Sequence, residues 1–173
     1  MRKTGLAAAI GAVALAAAVV GTPVRADMTL KGEPKIAFVY FNNKDDGGWV
    51  QALDEARQKI EKDLNVKIPF VEKVPEQASA IRPAVERYIQ RGYNIILGSA
   101  FGYSDTFKEL AQQYPDVAFL NPAGTTNGAN LQSYYGRTYE SQYLCGMTAG
   151  AMTKSGKLGF IADGAAGEQD LIV

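Results

Sequence analysis

The 173-residue sequence points to an α/β fold on a parallel sheet. Compact β-branched and aromatic runs alternate with longer segments whose apolar residues recur every three to four positions. The order is strand, helix, strand, repeated, with connecting helices of crossover length. Successive strands should therefore run parallel, with both faces of the sheet covered.

The first run, Lys35–Phe41, reads as a buried strand. From Gly48 the period lengthens: Trp49, Leu53, Ala56, Ile60 and Leu64 form the apolar stripe of a helix, with Asp54, Glu55, Arg57 and Lys59 expected to face water. Ile68–Val74 returns to strand character. Pro75-Glu76 opens a second helix with Ile81, Val85 and Ile89 inward and Arg91-Gly92 as its stop. Asn94–Leu97 is a third strand, Asp105 to Tyr114 a third helix packed through Phe107, Leu110 and Ala111, and Val117–Leu120 a fourth strand. After a Gly/Thr/Asn loop from Pro122 to Asn130 come a fifth strand, Leu131–Tyr135, a small-residue helix, Glu140–Thr153, and a sixth strand, Lys157–Ala162. Asp163 to Val173 follow without a further helix.

Composition removes several function classes. There are 18 basic and 18 acidic side chains, giving no net charge and no concentrated basic surface for nucleic acid. The absence of His removes the imidazole triads and His-containing zinc sites. The lone Cys145, set among Leu144, Gly146 and Ala149, is expected to be a buried filler rather than a reactive thiol. Gly98-Ser99-Ala100-Phe101-Gly102 places Ser one position too early for a nucleophile elbow, and Gly150 to Lys157 misses the phosphate-loop spacing. No catalytic residue, metal site or cofactor is expected, and the chain does not read as an enzyme.

Arg2 and Lys3 precede an apolar run from Gly5 to Val20, and Val24-Arg25-Ala26 offers small residues at a cleavage position. Residues 1–26 therefore read as a cleavable signal peptide, the run being shorter than the ~20 residues of a spanning helix. No Cys stands at the cleavage position to carry a lipid. The remaining 147 residues hold 15 basic and 18 acidic side chains, a mildly acidic, exported protein.

In an open parallel sheet, ligands bind beyond the carboxyl ends of the strands. Three loops can be placed there: Asn42 to Trp49, Gly98 to Asp105, and Asn121 to Gly124. Each mixes glycine with carboxylate, amide or aromatic groups, which suit hydrogen bonding and stacking on a flat ligand. Helix capping competes for Asp45, Asp46, Ser104 and Asp105. Core packing competes for Trp49, whereas Phe101 and Tyr103 lie off any helical stripe.

Three segments carry a resemblance. They are Lys35–Trp49 ending in Asp45-Asp46-Gly47-Gly48-Trp49, Gly98–Asp105, and Tyr135-Gly136-Arg137-Thr138-Tyr139-Glu140-Ser141-Gln142-Tyr143-Leu144-Cys145-Gly146. In this order the sequence resembles the basic membrane protein family, the substrate-binding proteins of ABC importers also called purine nucleoside receptor-like. Gly136 departs from the family's usual aromatic or aliphatic residue, and Leu53 stands where some relatives carry a His. The resemblance implies two Rossmann-like lobes of a type I periplasmic binding protein, a purine base or nucleoside in the cleft, and delivery to an inner-membrane permease, the complete protein being a monomer. It implies ligand contacts from Asp45, Asp46, Trp49, Phe101, Tyr103 and Asp105, with Asn121 a further candidate. Residues 27–155 would form the first lobe with its crossover helix, and 156–173 only the start of a truncated second lobe. The alternatives are a fragment that binds nothing alone and an exported α/β hydrolase or transferase using the same carboxylates.

Overall fold

A computed structural model describes Met28 and residues 30–160. The expected signal segment and residues 161–173 lie outside the described residues.

Five strands, β1 (Ile36–Val39), β2 (Phe70–Val71), β3 (Ile95–Leu97), β4 (Ala118–Pro122) and β5 (Leu131–Tyr134), form one sheet in the order β2-β1-β3-β4-β5. Every pairing is parallel, with Ile36 opposite Ile95, Ile95 opposite Ala118 and Phe119 opposite Leu131. Four helices connect or follow them: α1 (Trp49–Leu64), α2 (Ala78–Gln90), α3 (Ser104–Gln113) and α4 (Thr138–Met152). This is the expected α/β class.

Strand alternation divides the core. Ala37, Val39, Ile96 and Phe119 pack with Ile81 and Val85 of α2 and Phe107 and Leu110 of α3 on one face. Phe38, Tyr40, Val50 and Ile68 form the smaller cluster under α1 on the other. Chain order reverses between β1 and β3, so their carboxyl ends diverge and leave a crevice between the loops that follow.

Three expectations are corrected. The buried face of α1 runs through Val50, Asp54 and Arg57, one position along from the expected stripe, and Leu64 is exposed. Asp54 and Arg57 enter the interior because they neutralise each other: Arg57 Nε donates to Asp54 Oδ1 at 2.7 Å. Second, residues 157–160 form no strand and pair with neither edge of the described sheet; residues 161 and 162 lie outside the described residues. Third, α4 has no buried residue, and Cys145 is exposed rather than a core filler, because no described element packs over this helix.

Candidate functional site

A cavity of about 390 Å³ opens in the β1/β3 crevice, lined by Phe41, Trp49, Glu76, Ser99, Ala100, Phe101, Ala123 and Tyr135. A slightly larger one, about 410 Å³, lies at the far end of α1 among Gln58, Glu61, Lys62, Asn65, Val66 and Lys67. The first is preferred on position and chemistry: it sits at the carboxyl ends of the strands and has aromatic walls, whereas the second has neither feature.

Ser99, just after β3, is the knot of this site. Its hydroxyl accepts the Phe41 backbone N–H at 2.9 Å, and its carbonyl accepts Trp49 Nε1–H at 2.7 Å. Ser99 is fully buried, so these bonds fix the first turn of α1 against the β1 and β3 ends without competition from water. Trp49, the first residue of α1, packs partly on the Phe38/Tyr40 cluster and stacks on Tyr135, with ring centroids 5.7 Å apart and planes inclined by 21°. Phe101, 37% exposed, opens a 3-10 turn that runs to Tyr103. Glu76 lies across from it and accepts the Gly102 N–H at 3.0 Å. That approach requires glycine, since a Cβ on residue 102 would fall 2.8 Å from Glu76 Cβ.

Of the seven residues singled out in the sequence, Trp49 and Phe101 line the cavity. Asp45 is exposed in the turn before Gly47, outside the cavity wall, and Asp105 is exposed in the first turn of α3. Asp46 serves the start of α1: Oδ1 accepts from the N–H groups of Gly48 and Gln51 at 2.9 and 3.1 Å, and Oδ2 from Val50 at 3.2 Å. Tyr103 is fully buried, its hydroxyl donating to the Val74 carbonyl at 2.6 Å. Burial and then the nearby Glu76 charge push its phenol well above the usual range, so it stays neutral. Asn121 is also fully buried, donating through Nδ2 to the Ala100 carbonyl at 2.9 Å. It braces the Ala100 wall from behind.

The competing capping role thus accounts for every hydrogen bond of the Asp46 carboxylate described above. Partial burial pushes its carboxyl up, but the Gly48, Gln51 and Val50 amides outweigh this and hold it below the usual carboxylate range. The stabilisation is therefore complete above the ordinary carboxylate pKa and is lost as pH falls through the lowered folded value. Asp46→Ala should cost about 1 kcal/mol, read as a lower urea midpoint at pH 7, and the deficit should vanish toward acid pH.

Phe41, Glu76, Ser99 and Tyr135 were not among the expected contacts. Two of them were findable: Glu76 follows β2 and Tyr135 follows β5, and in a parallel sheet the loops after all five strands share one edge. Tyr135 is half-buried beside Gly136, in the segment that had carried the resemblance.

A family model described as ABC transporter substrate-binding protein PnrA-like matches residues 33–170. The chain is 34% identical over 129 residues to a purine-binding protein of Brucella abortus, covering 73% of this chain and 37% of that protein. It is 33% identical over 127 residues to a Haloferax volcanii protein named for glucose binding in an ABC transporter, covering 73% and 32% respectively. Among solved structures, a Bacillus halodurans protein titled a transcriptional activator of the comK gene superposes with a TM-score of 0.63 at 26% identity, over 80% of this chain and 48% of that one. The chain spans about a third of the length of the two curated relatives.

Proposed function

The chain belongs to the ABC transporter substrate-binding protein PnrA-like family, and we propose that its cavity is one wall of a cleft for a purine base or nucleoside, held for an inner-membrane permease. The observation that carries this reading is the aromatic crevice at the β1/β3 switch point, where Trp49, Phe101 and Phe41 offer ring surfaces and Glu76 a carboxylate at the edge. A planar heterocycle buries its faces on the rings and presents N–H donors at its rim, which a carboxylate accepts. At about 390 Å³ the cavity lies in the size range of small-molecule pockets. The purine-binding name of the Brucella relative supports the ring class.

In this reading residues 1–26 are the export signal to the periplasm, 27–155 the ligand-binding lobe with its crossover helix and 156–173 the start of a second lobe. Binding proceeds without chemical change to the ligand. Asp45 and Asp105 are exposed and do not line the cavity, and contacts from them to a bound ribose are part of this proposal.

Calorimetric titration of the purified chain tests the assignment with adenine, adenosine, guanosine, ribose and glucose. A purine should give saturable heat, weakened about tenfold or more in Trp49→Ala, as expected from the energy of one lost base-aromatic stack. Saturation by glucose with none by purines would transfer the assignment to a sugar. Turnover of the ligand would replace binding by catalysis.

A further inference from the structure

Resting on the reading above, we infer that Tyr135 is a built-in competitor for the ring face of Trp49, which a flat ligand must displace. The indole is held by its Nε1–H bond to the Ser99 carbonyl and by packing on the Phe38/Tyr40 cluster. Tyr135 lies stacked on it at 5.7 Å between centroids, and both rings line the same cavity. A third ring placed between them would need about 7–8 Å, two contact distances of about 3.5–4 Å each. The present spacing leaves no room, so a base that stacks on Trp49 must push Tyr135 outward or replace it.

The two partners differ in how firmly they are held. Trp49 belongs to a helix whose next residue, Val50, is fully buried. Tyr135 belongs to the short joint between β5 and α4, and among the described residues its hydroxyl makes no hydrogen bond. A Cβ on the following Gly136 would meet nothing within 4 Å, and α4 beyond it has no buried residue. The stack is therefore the displaceable half of the pair. Its consequence is selectivity: a planar aromatic ligand regains on Trp49 what the departing phenol gives up, whereas a ligand without a flat face removes the phenol at a net loss.

Trp49 is the only tryptophan in the chain, so its emission reports this face alone. In ligand-free protein, Tyr135→Ala should raise acrylamide quenching of Trp49, and Tyr135→Phe, which keeps the ring, should leave it unchanged. Titration with adenosine should then give a dissociation constant about two- to tenfold lower in Tyr135→Ala than in the natural chain, the range set by the energy of one aromatic pair. Unchanged quenching in Tyr135→Ala would overturn the inference, and so would weaker adenosine binding, which would make Tyr135 an ordinary ligand contact. If adenosine binds neither protein while quenching still rises in Tyr135→Ala, the covering role stands and the purine assignment falls.

Discussion

Arg57→Ala should lower the unfolding free energy by about 3–5 kcal/mol, the range for removing one member of a buried ion pair. Arg57 and Asp54 retain only 6% and 3% of their exposure. The Arg57 guanidinium reaches Asp54 Oδ1 at 2.7 Å, the Ile68 carbonyl at 3.1 Å and Glu61 at 3.1 Å, and lies 4.6 Å over the Phe70 ring. Asp54 in turn accepts from the Tyr40 hydroxyl at 3.2 Å and from Gln58 Nε2 at 2.7 Å. Truncating Arg57 leaves a buried carboxylate with two neutral donors and no counter-charge, and also strips the cover from Phe70. Arg57→Lys should lie between the natural chain and Arg57→Ala, because an ammonium keeps the charge but not the planar fork that serves three acceptors at once.

The same pair gives the fold an acid limit. Burial pushes the Asp54 carboxyl up, but the Arg57 and Gln58 hydrogen bonds, the Arg57 charge and the Tyr40 hydroxyl outweigh it and bring it below the usual range. A carboxyl lowered on folding contributes fully above its unfolded pKa, and that contribution fades as pH falls through the folded value. Urea midpoints of the natural chain and Arg57→Ala should therefore converge as the solution is acidified below the ordinary carboxylate pKa. A constant gap down to strongly acid pH would mean that Arg57 acts through packing alone.

This cluster also shows where sequence reading reaches its limit. Charged residues at 54, 55, 57 and 59 all suggested a solvated face, yet 50, 54 and 57 are spaced as a helical stripe just as 49, 53, 56 and 60 are. Periodicity gave the helix, but choosing the inner face required knowing that Tyr40, the residue after β1, reaches Asp54 with its hydroxyl. The strand at Ile68–Val74 contracted to Phe70–Val71 for a similar reason. It is an edge strand paired only to β1, and Lys73, with a φ of 58°, turns the chain away. The order of elements and the crevice were legible because alternation and crossover length are local. The place of Tyr135 at the shared strand-end edge was legible too, but its pairing with Trp49 was not, since β5 stands two strands beyond β3 in the sheet order.

Gly98→Ala should destabilise the fold by about 3 kcal/mol, the upper part of the usual range for overpacking. Gly98 follows β3 and donates its N–H to the Leu120 carbonyl at 2.8 Å, which draws its Cα against β4. A Cβ there would stand 2.7 Å from Asn121 Oδ1 and 2.9 Å from two carbons of the Phe107 ring. Both residues are fully buried, so neither can swing into solvent to make room. Asn121→Ala carries its own cost of about 0.5–1.5 kcal/mol, because it removes one of the two donors to the Ala100 carbonyl and leaves only the Tyr103 N–H at 3.2 Å. Together the two changes should cost less than their sum, by about 0.5–3 kcal/mol, since the added methyl enters space vacated by the amide. Urea denaturation of the natural chain, both single variants and the double variant completes this cycle. Strict additivity would mean that the backbone at Gly98 relaxes away from Asn121 on its own. The predicted coupling instead makes Asn121 the fixed wall that requires glycine at 98, and thereby sets the path of the chain into Ser99, whose carbonyl holds the Trp49 ring in the cavity wall.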